Sequence, residues 1–363
     1  MVRVLSAMSG GVDSAVATAR LIDAGHEVTG VHLALSRTAL AQQIGARGCC
    51  SLADSNDARR VADKLGIPFY VWDFSERFAD EVITDFLDEY SQGRTPNPCL
   101  RCNEKIKFAA LLERGRALGF DAVATGHYAQ VKKVNDHYEL WRAADSAKDQ
   151  SYVLGVLDQD QLAHSLFPLG GSVKSDVRAE AAELGFSVAN KPDSVDICFI
   201  PTGDTAGFLT EKLGPKPGEI VDTAGNTIGH HDGAYRFTIG QRKGLNLGVP
   251  APDGKPRYVV GIDPNQSKVV VGSRAELGVR CFEGIRPKWT QGPVHEAWHG
   301  LVQVRAHGRP VEAQIDFDGE NVIVKLDEDL TALAPGQYAV LYDGDRVVGS
   351  TIVANTNSVA EVQ

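Results

Sequence analysis

The sequence has few cysteines, no long apolar run and no excess of positive charge, and each shortage excludes a class of protein. Six cysteines among 363 residues are too few for a disulfide-stabilised secreted scaffold, so we expect a reducing, cytoplasmic environment. No apolar stretch approaches the ~20 residues that a membrane span needs, so no membrane partner is expected. The formal net charge of −10 excludes a general polyanion binder, and any nucleic acid must be bound by a local basic patch.

We also expect neither a targeting signal nor a repeat architecture. The start M-V-R-V-L-S-A-M-S-G-G is too short and too interrupted by glycine for a signal peptide. No internal repeat or low-complexity stretch occurs. A composition of 43% hydrophobic and 23% charged residues is typical of a globular protein, and the length predicts two or three domains.

Strand and helix patterns alternate through the first half of the chain. Strands are predicted over 2–8, 27–35 and 67–74. Helices are predicted from Val12 to the glycine at 25 and over 52–65, 76–90 and 103–118. This alternation predicts an α/β fold with a doubly wound parallel sheet, in which ligands bind at the carboxyl ends of the strands.

The pattern changes after about residue 200. Turn-rich sequence with short strands predicts a small β-rich domain over 206–278, and alternating segments with regular turn signals predict an antiparallel β-barrel over 279–363. The D-G-D-R sequence at 343–346 is a hairpin signal. The predicted domains are therefore 1–205, 206–278 and 279–363.

The segment S-G-G-V-D-S at 9–14 lies where the first strand ends and the first helix begins. Gly10 and Gly11 allow an anion close to the backbone, and the helix start attracts phosphate. Ser9 and Ser14 add hydroxyl donors, and Asp13 could hold Mg²⁺ or orient the loop. The segment has no lysine, so it is not the G-x-x-x-x-G-K-[ST] motif. The alternative is an ordinary strand–turn–helix junction capped by serine.

A second notable segment is R-T-P-N-P-C-L-R-C-N-E-K-I-K-F at 94–108, which places Cys99 and Cys102 three residues apart among four basic residues. The pair could be half of a metal site, a redox pair or the reactive end of an enzyme. Neighbouring basic side chains or a helix start would favour a reactive thiolate.

The whole chain resembles the bacterial tRNA-specific 2-thiouridylases, enzymes with a pyrophosphatase-type ATP loop. The resemblance rests on eight strings in the family's order: A-M-S-G-G-V-D-S, G-R-T-P-N-P, C-N-E-K-I-K-F, A-T-G-H-Y, K-D-Q-S-Y, D-I-C-F-I, G-Q-R-K-G-L and P-G-Q-Y-A-V-L-Y. It implies an adenine nucleotide hydrolase-like N-terminal domain, a small central domain and a C-terminal β-barrel.

The resemblance also implies a reaction. ATP, with Mg²⁺, adenylates the C2 oxygen of the wobble uridine in tRNA, and sulfur then displaces AMP. The uridine must leave the anticodon stack to be reached. The implied partners are the anticodon arm of tRNA and a sulfur donor or relay protein.

The family's functional positions map onto residues of this chain. The resemblance implies that Cys102 is the nucleophile and that Cys198 carries a persulfide. It implies nucleotide contacts at Ala7, Met8, Ser9, Gly10, Gly11, Val12, Asp13, Ser14, Leu33 and Gly126. It implies tRNA contacts at His127, Lys148, Asp149, Gln150 and Gln337. Alternatively, His127 is a hydrogen-bonded strand-end histidine and Gln337 a surface turn residue. Cys49, Cys50 and Cys281 are expected to be structural.

Cys99 departs from the family pattern, because many members have aspartate there and that carboxylate has been assigned as the general base. A thiol cannot act in the same way, and as a thiolate it prefers soft metals. Asp196, two residues before Cys198, is a candidate substitute base because both side chains would share one face of an extended segment.

Two hypotheses for the cysteines follow. Cys99, Cys102 and Cys198 could converge and bind a [4Fe–4S] cluster with one open iron. Otherwise Cys198 bears the persulfide, Cys102 resolves it as a disulfide, and Cys99 is a bystander or second resolving thiol. Two rival functions are another adenylating ligase or amidotransferase, and a non-catalytic RNA-binding module with a cysteine metal site.

Overall fold

The computed structural model describes residues 1–36, 51–193, 197–247 and 253–358. Seven strands occur in the N-terminal part: β1 Arg3–Ala7, β2 Glu27–Ala34, β3 Phe69–Asp73, β4 Ala122–Ala124, β5 Gln130–Val134, β6 His137–Trp141 and β7 Ser165–Leu166. Five of them form a parallel sheet in the order β3–β2–β1–β4–β7. The predicted doubly wound sheet is confirmed.

Helices connect these strands and cover both faces of the sheet. They are α1 Val12–Asp23, α2 Leu52–Leu65, α3 Ser75–Phe78, α4 Thr84–Ser91, α5 Pro98–Cys102, α6 Leu111–Ala117, α7 Ser151–Leu154, α8 Gln159–Ala163 and α9 Lys174–Glu183. One apolar core joins α1, α2 and α9 through side chains such as Val16, Val61 and Val177. A second core on the other face contains Leu5 and Val31 of the sheet.

Two predicted helices contain π-helical segments. Ala79–Ile83 separates α3 from α4, and Asn103–Ala110 separates α5 from α6. The predictions of continuous helices over 76–90 and 103–118 were therefore right in position but missed the wider turns. Such turns often occur at functional sites.

In the central part, the described residues form one α-helix and a four-stranded sheet. Its elements are α10 Thr205–Leu213, β8 Gly218–Asp222, β9 Thr227–His231, β10 Tyr258–Asp263 and β11 Lys268–Gly272, with short 3₁₀ turns at Ala234–Arg236 and Arg274–Leu277. The sheet order is β10–β11–β8–β9. The sequence does not predict α10, because the turn signals that follow it dominate the pattern over 206–278.

The C-terminal part is a closed antiparallel barrel, as predicted. Its strands are β12 Gly278–Trp289, β13 Trp298–Gln303, β14 Val311–Asp318, β15 Asn321–Thr331, β16 Tyr338–Asp343 and β17 Arg346–Ser358. They run in the order β12–β15–β14–β13–β16–β17, and β12 also pairs with β17 to close the ring.

The barrel is extended by strands from the N-terminal part of the chain. The β5–β6 hairpin joins β17 through the pairs Arg346–Trp141 and Val347–Leu140. The first and last parts of the chain therefore share one sheet.

No helix within the described residues is long and apolar enough to cross a membrane.

Candidate active site

The segment 9–14, here called the phosphate loop, lies at the carboxyl end of the central strand β1, as the sequence predicts. Gly10 has φ +79°, and a Cβ there would overlap the Asp54 carbonyl at the start of α2. Only glycine satisfies both the left-handed backbone and this close approach. The Ser14 hydroxyl accepts a bond from the Ser9 amide (3.2 Å) and donates to the Gly11 carbonyl (3.1 Å). These bonds hold the loop in a compact turn.

Gly126 follows β4 and packs directly on the start of α1. A Cβ at Gly126 would lie 2.7 Å from the Ser14 amide nitrogen, so no larger residue fits. The loops after two neighbouring strands therefore meet at the sheet edge, where ligands of doubly wound folds bind.

Asp13 is held by residues from two distant elements. The Tyr128 hydroxyl donates to its Oδ1 (2.8 Å), and Lys174 Nζ lies 2.7 Å from both carboxylate oxygens. Lys174 is the first residue of α9 and is only 8% exposed. Burial, followed by the negative charge of Asp13, raises the pKa of Tyr128, which therefore remains a protonated donor. A lysine thus lies at a loop whose own sequence has none.

Asp193 connects Lys174 to the protein surface. Its carboxylate binds Lys174 Nζ (2.9 Å), Lys148 Nζ (2.8 Å) and Arg178 Nη2 (2.8 Å). Burial opposes ionisation of Asp193, but the hydrogen bonds from Lys148 and Lys174 outweigh it and lower its pKa to about 2. Asp193 is therefore an anion at any physiological pH.

A second lysine ties the loop to α2. Lys191 Nζ donates to the Gly10 carbonyl (2.9 Å), to Asp54 (2.7 Å) and to Asp57 (2.7 Å). Burial works against its charge, but hydrogen bonds to the two carboxylates raise its pKa above the ordinary value. The ammonium therefore stays charged beside the loop backbone.

The C-x-x-C segment forms the short helix α5. The Asn97 side chain caps it by accepting from the Cys99 amide (3.0 Å), and Pro98 occupies the first turn, where its missing N–H costs nothing. Cys99 is exposed, whereas Cys102 is 7% exposed and is followed by the π-helical segment. The two thiols therefore differ in their access to solvent.

One apolar cluster brings the predicted reactive and nucleotide positions together. Cys102 belongs to the core on the α5 face of the sheet, and Ala7, Leu33 and Cys198 pack against that same core. These four residues come from four separate segments of the chain. Cys102 and Cys198 therefore share one apolar core with two of the residues expected to contact the nucleotide.

The basic residues around the cysteines are largely paired with acids. Arg94 binds Glu89 through two 2.6 Å bonds, and Lys105 lies 3.4 Å from Glu104. Arg101 binds Glu104 (3.2 Å) and lies 3.5 Å from Asp85. Nearby carboxylates therefore offset much of the charge of these cations, and a reactive thiolate at Cys102 stays a prediction.

The three-cysteine metal hypothesis finds no support in this geometry. Within the described ranges, no group of three or more His, Cys, Asp or Glu side chains is placed to hold a metal ion. The [4Fe–4S] cluster at Cys99, Cys102 and Cys198 therefore stays a hypothesis.

His127 lies in the protein interior. Its Nδ1 is 2.7 Å from the Thr125 hydroxyl, and its ring packs between Phe108 and Phe167 at centroid distances of 6.0 and 6.1 Å. Burial, and then the charge of Lys107, lowers its pKa well below 6.5. This is the geometry of the hydrogen-bonded strand-end histidine, the alternative to a tRNA contact.

The residues of the predicted tRNA segment at 148–150 are all partly exposed, but their side chains have different partners. The Asp149 side chain, 8% exposed, accepts from Arg142 (2.8 Å) and from the Ser151 hydroxyl (2.8 Å). The Gln150 side-chain carbonyl accepts from the Tyr128 amide, and the Gln150 amide donates to the Tyr128 carbonyl. The Lys148 side chain is 40% exposed. Of the three, Lys148 is the only cation, and its ammonium binds Asp193 (2.8 Å).

Gln337 closes a turn of the barrel that contacts the cysteine segment. Its side chain accepts from the Ala334 amide (3.1 Å). In the same turn, the Pro335 carbonyl accepts from the Thr95 amide (2.7 Å). The segments G-R-T-P-N-P and P-G-Q-Y-A-V-L-Y are therefore in direct contact.

The remaining predicted cysteines and the candidate base lie away from the site or outside the described residues. Cys281 is on the barrel strand β12, where burial raises its pKa, and a structural role stays the prediction. Cys49, Cys50 and Asp196 lie outside the described residues, so their predicted roles are not tested.

Lys174 and Asp193 are the site residues that the sequence reasoning missed. Lys174 is 161 positions from Asp13, and no spacing rule connects them. The one available signal was the absence of lysine from the phosphate loop.

Comparison with family models covers nearly the whole chain. Residues 2–202 match a family described as the tRNA methyl transferase HUP domain. Residues 206–273 match the tRNA methyl transferase PRC-barrel domain, and residues 279–353 match the aminomethyltransferase beta-barrel domain.

Among solved structures, a 4-thiouridine synthetase–RNA complex with bound ATP matches with a TM-score of 0.36 at 14% identity, covering 58% of this chain and 50% of that one. A likeness at this level indicates neither function nor substrate.

Curated relatives match over almost their full length. The tRNA-specific 2-thiouridylase MnmA of Cutibacterium acnes is 64% identical, over 98% of this chain and 97% of the relative. That of Acidothermus cellulolyticus is 61% identical, over 99% of both. Identity at this level over almost the full length excludes the two rival functions, which are a different adenylating ligase and a non-catalytic RNA-binding module. The chain belongs to the tRNA-specific 2-thiouridylase family.

Proposed function

We propose that the protein makes 2-thiouridine in tRNA, using ATP to activate the C2 oxygen of the wobble uridine and a cysteine-borne sulfur to replace it. The observation that carries the proposal is the packing of Cys102 and Cys198 on the same core as Ala7 and Leu33. An enzyme of this kind must bring the nucleotide and the sulfur carriers to one substrate atom, and a core shared by both sets of residues supports that arrangement.

In the first half-reaction, the uridine C2 oxygen attacks the α-phosphorus of ATP. The new O–P bond forms as the bond to the bridging oxygen breaks, and pyrophosphate leaves with the electron pair, while the N3 proton of the base is lost. The amides of the 9–14 loop and the start of α1 bind the phosphates. Asp13, whose carboxylate is 31% exposed, fits the Mg²⁺ that accompanies ATP, because carboxylate and phosphate oxygens are its preferred ligands.

In the second half-reaction, the terminal sulfur of a Cys198 persulfide attacks C2, and AMP leaves with the electron pair of the broken C–O bond. The Cys102 thiolate then attacks Cys198 Sγ. A Cys102–Cys198 disulfide forms, and the electron pair of the broken S–S bond stays on the sulfur bound to C2 as the thiocarbonyl. An external dithiol must reduce the disulfide before the next cycle.

The test is nucleoside mass spectrometry of undermodified tRNA after incubation with anaerobic protein, ATP, Mg²⁺ and a persulfide source. Cys102→Ser and Cys198→Ser should each lose 2-thiouridine formation, by at least about 100-fold if they act in covalent steps. Cys281→Ser is the matched control, because that thiol lies in the barrel, and it should retain activity. Full activity of either Cys102→Ser or Cys198→Ser would contradict the proposed sulfur path.

Cys99→Ser separates the persulfide route from the cluster hypothesis. The persulfide route requires neither a metal nor Cys99, so this variant should keep most of its activity and the wild type should be iron-free. A brown, iron-containing wild type, with colour and activity lost in Cys99→Ser, would favour a cluster instead.

The partners follow from the reaction. The RNA substrate is the anticodon arm of tRNA, and Lys148 is the proposed contact with its backbone. A sulfur donor or relay protein must reload Cys198. A cytoplasmic location stays a prediction.

A further inference from the structure

The phosphate loop has to bind a highly charged triphosphate without a lysine of its own. Backbone amides and the helix dipole attract phosphate, but a positioned cation is the usual means of stabilising a departing pyrophosphate. The fold supplies a candidate from far along the chain, at the first residue of α9.

Lys174 is placed at the end of the loop where the phosphates would lie. Its ammonium bonds both oxygens of Asp13, the second residue of α1, and is shielded from solvent by the surrounding protein. It also lies 5.7 Å from the centroid of the Tyr128 ring. A buried ammonium at a helix start has a strong field, because little water is present to screen it.

The two carboxylates that bind Lys174 each have another hydrogen-bond donor. Asp193 keeps Lys148 and Arg178, both at 2.8 Å, if Lys174 moves. Asp13 keeps the hydrogen bond from Tyr128 and becomes a ligand for Mg²⁺. Exchange of a carboxylate for a phosphate oxygen therefore leaves no buried charge unpaired.

Lys191 is placed differently. Its ammonium bonds the Gly10 carbonyl and two carboxylates of α2, so its contacts join the loop backbone to that helix. Lys174 instead contacts the carboxylate at the helix start.

We propose that Lys174 binds the β- and γ-phosphates of ATP in place of the lysine that the loop lacks, leaving Asp13 for the metal ion. The inference rests on the proposed function. In the free protein, Asp13 and Asp193 hold the ammonium in position. When ATP binds, the ammonium exchanges the Asp13 oxygens for phosphate oxygens and stabilises the negative charge that pyrophosphate gains on leaving.

The test compares the binding of ATP and AMP, measured by calorimetry in EDTA so that the metal does not contribute. Lys174→Met should weaken ATP binding by about 10- to 100-fold, as expected for lost charge-assisted bonds, and change AMP binding less than about twofold. Lys64→Met is the matched control, because Lys64 donates to the Gly185 carbonyl (2.8 Å) away from the loop, and both affinities should stay unchanged.

A purely structural role must be separated from phosphate binding, because an unpaired Asp13 would itself repel ATP. The double variant Asp13→Asn/Lys174→Met removes both charges. If Lys174 binds phosphate, the double variant keeps the low ratio of ATP to AMP affinity. If Lys174 only neutralises Asp13, the ratio returns to the wild-type value, and the inference is overturned.

Two further outcomes are defined. If Lys174→Met does not fold, Lys174→Gln is judged by the same ratio, and an unchanged ratio overturns the inference. If the wild type itself binds ATP no better than AMP, the ATP-dependent function is wrong rather than the role of Lys174.

Discussion

At the scale of single residues, His127 shows how burial sets the chemistry of a side chain. The imidazole lies between two phenyl rings and bonds the Thr125 hydroxyl, so its charged form would lose hydration without gaining an anionic partner. Its pKa is therefore lowered in the folded protein. The neutral ring behaves as part of the apolar core that contains Phe108 and Phe167.

This burial predicts a pH dependence of stability. Because the folded pKa lies below 6.5, the unfolded chain binds more protons than the folded one in acid, and the free energy of unfolding falls as pH drops below about 6.5. One proton contributes at most about 1.4 kcal/mol per pH unit. His127→Asn should reduce this dependence between pH 7 and 5, measured by urea unfolding. An unchanged slope would show that other groups cause it.

At the scale of elements, the turn 334–337 of the barrel fits against the cysteine segment through a glycine. Gly336 has φ +87°, and a Cβ there would lie 2.8 Å from Arg94 Cβ and 2.9 Å from the Thr95 amide nitrogen. The same contact includes the hydrogen bond from Thr95 to Pro335. The position of α5 thus depends on the barrel.

Gly336→Ala should therefore destabilise the protein by about 2–4 kcal/mol, from left-handed strain plus overpacking, and lower sulfur transfer. Gly344→Ala is the matched control. Gly344 also has a positive φ, +58°, but its Cβ would meet nothing within 4 Å, so a loss of about 1 kcal/mol is expected. Urea midpoints measure both, and equal losses would show that the contact with Arg94 is not tight.

The sequence predicts most elements because their periodicity is local. The strands at 3–7 and 27–34 and the barrel strands from 311 onward follow alternation and turn signals. The β5–β6 hairpin could not be assigned to the barrel, since its pairing with β17 joins residues about 200 positions apart. The Lys174–Asp13 contact was missed for the same reason. Long-range contacts leave no local pattern.

At the scale of the whole molecule, side-chain contacts add to the shared sheet in joining the N- and C-terminal parts. The buried Tyr152 hydroxyl shares its proton between the carbonyls of Val304 (3.2 Å) and Tyr338 (3.1 Å), and the Arg142 guanidinium lies 3.8 Å from the centroid of the Tyr342 ring. These contacts fix the barrel relative to the phosphate loop. A tRNA bound by both parts would therefore meet a largely preformed surface.

The whole-molecule charge makes tRNA binding depend on a few local cations. With a net charge of −10, the overall field repels RNA, so binding requires basic side chains at the surface such as Lys148. Each phosphate contact contributes about −0.7 to −0.9 to the slope of log K against log salt. We expect a steep decrease of affinity with salt, measured by filter binding between about 50 and 200 mM, the range over which such contacts weaken strongly.

Lys148→Met should reduce the slope by about 1 if Lys148 contacts a phosphate. Lys212→Met is the control, because it removes the same charge from α10, where Lys212 binds Glu211 at 3.0 Å, and should leave the slope unchanged. Equal effects of the two variants would mean that net charge, and not a contact at Lys148, governs tRNA binding.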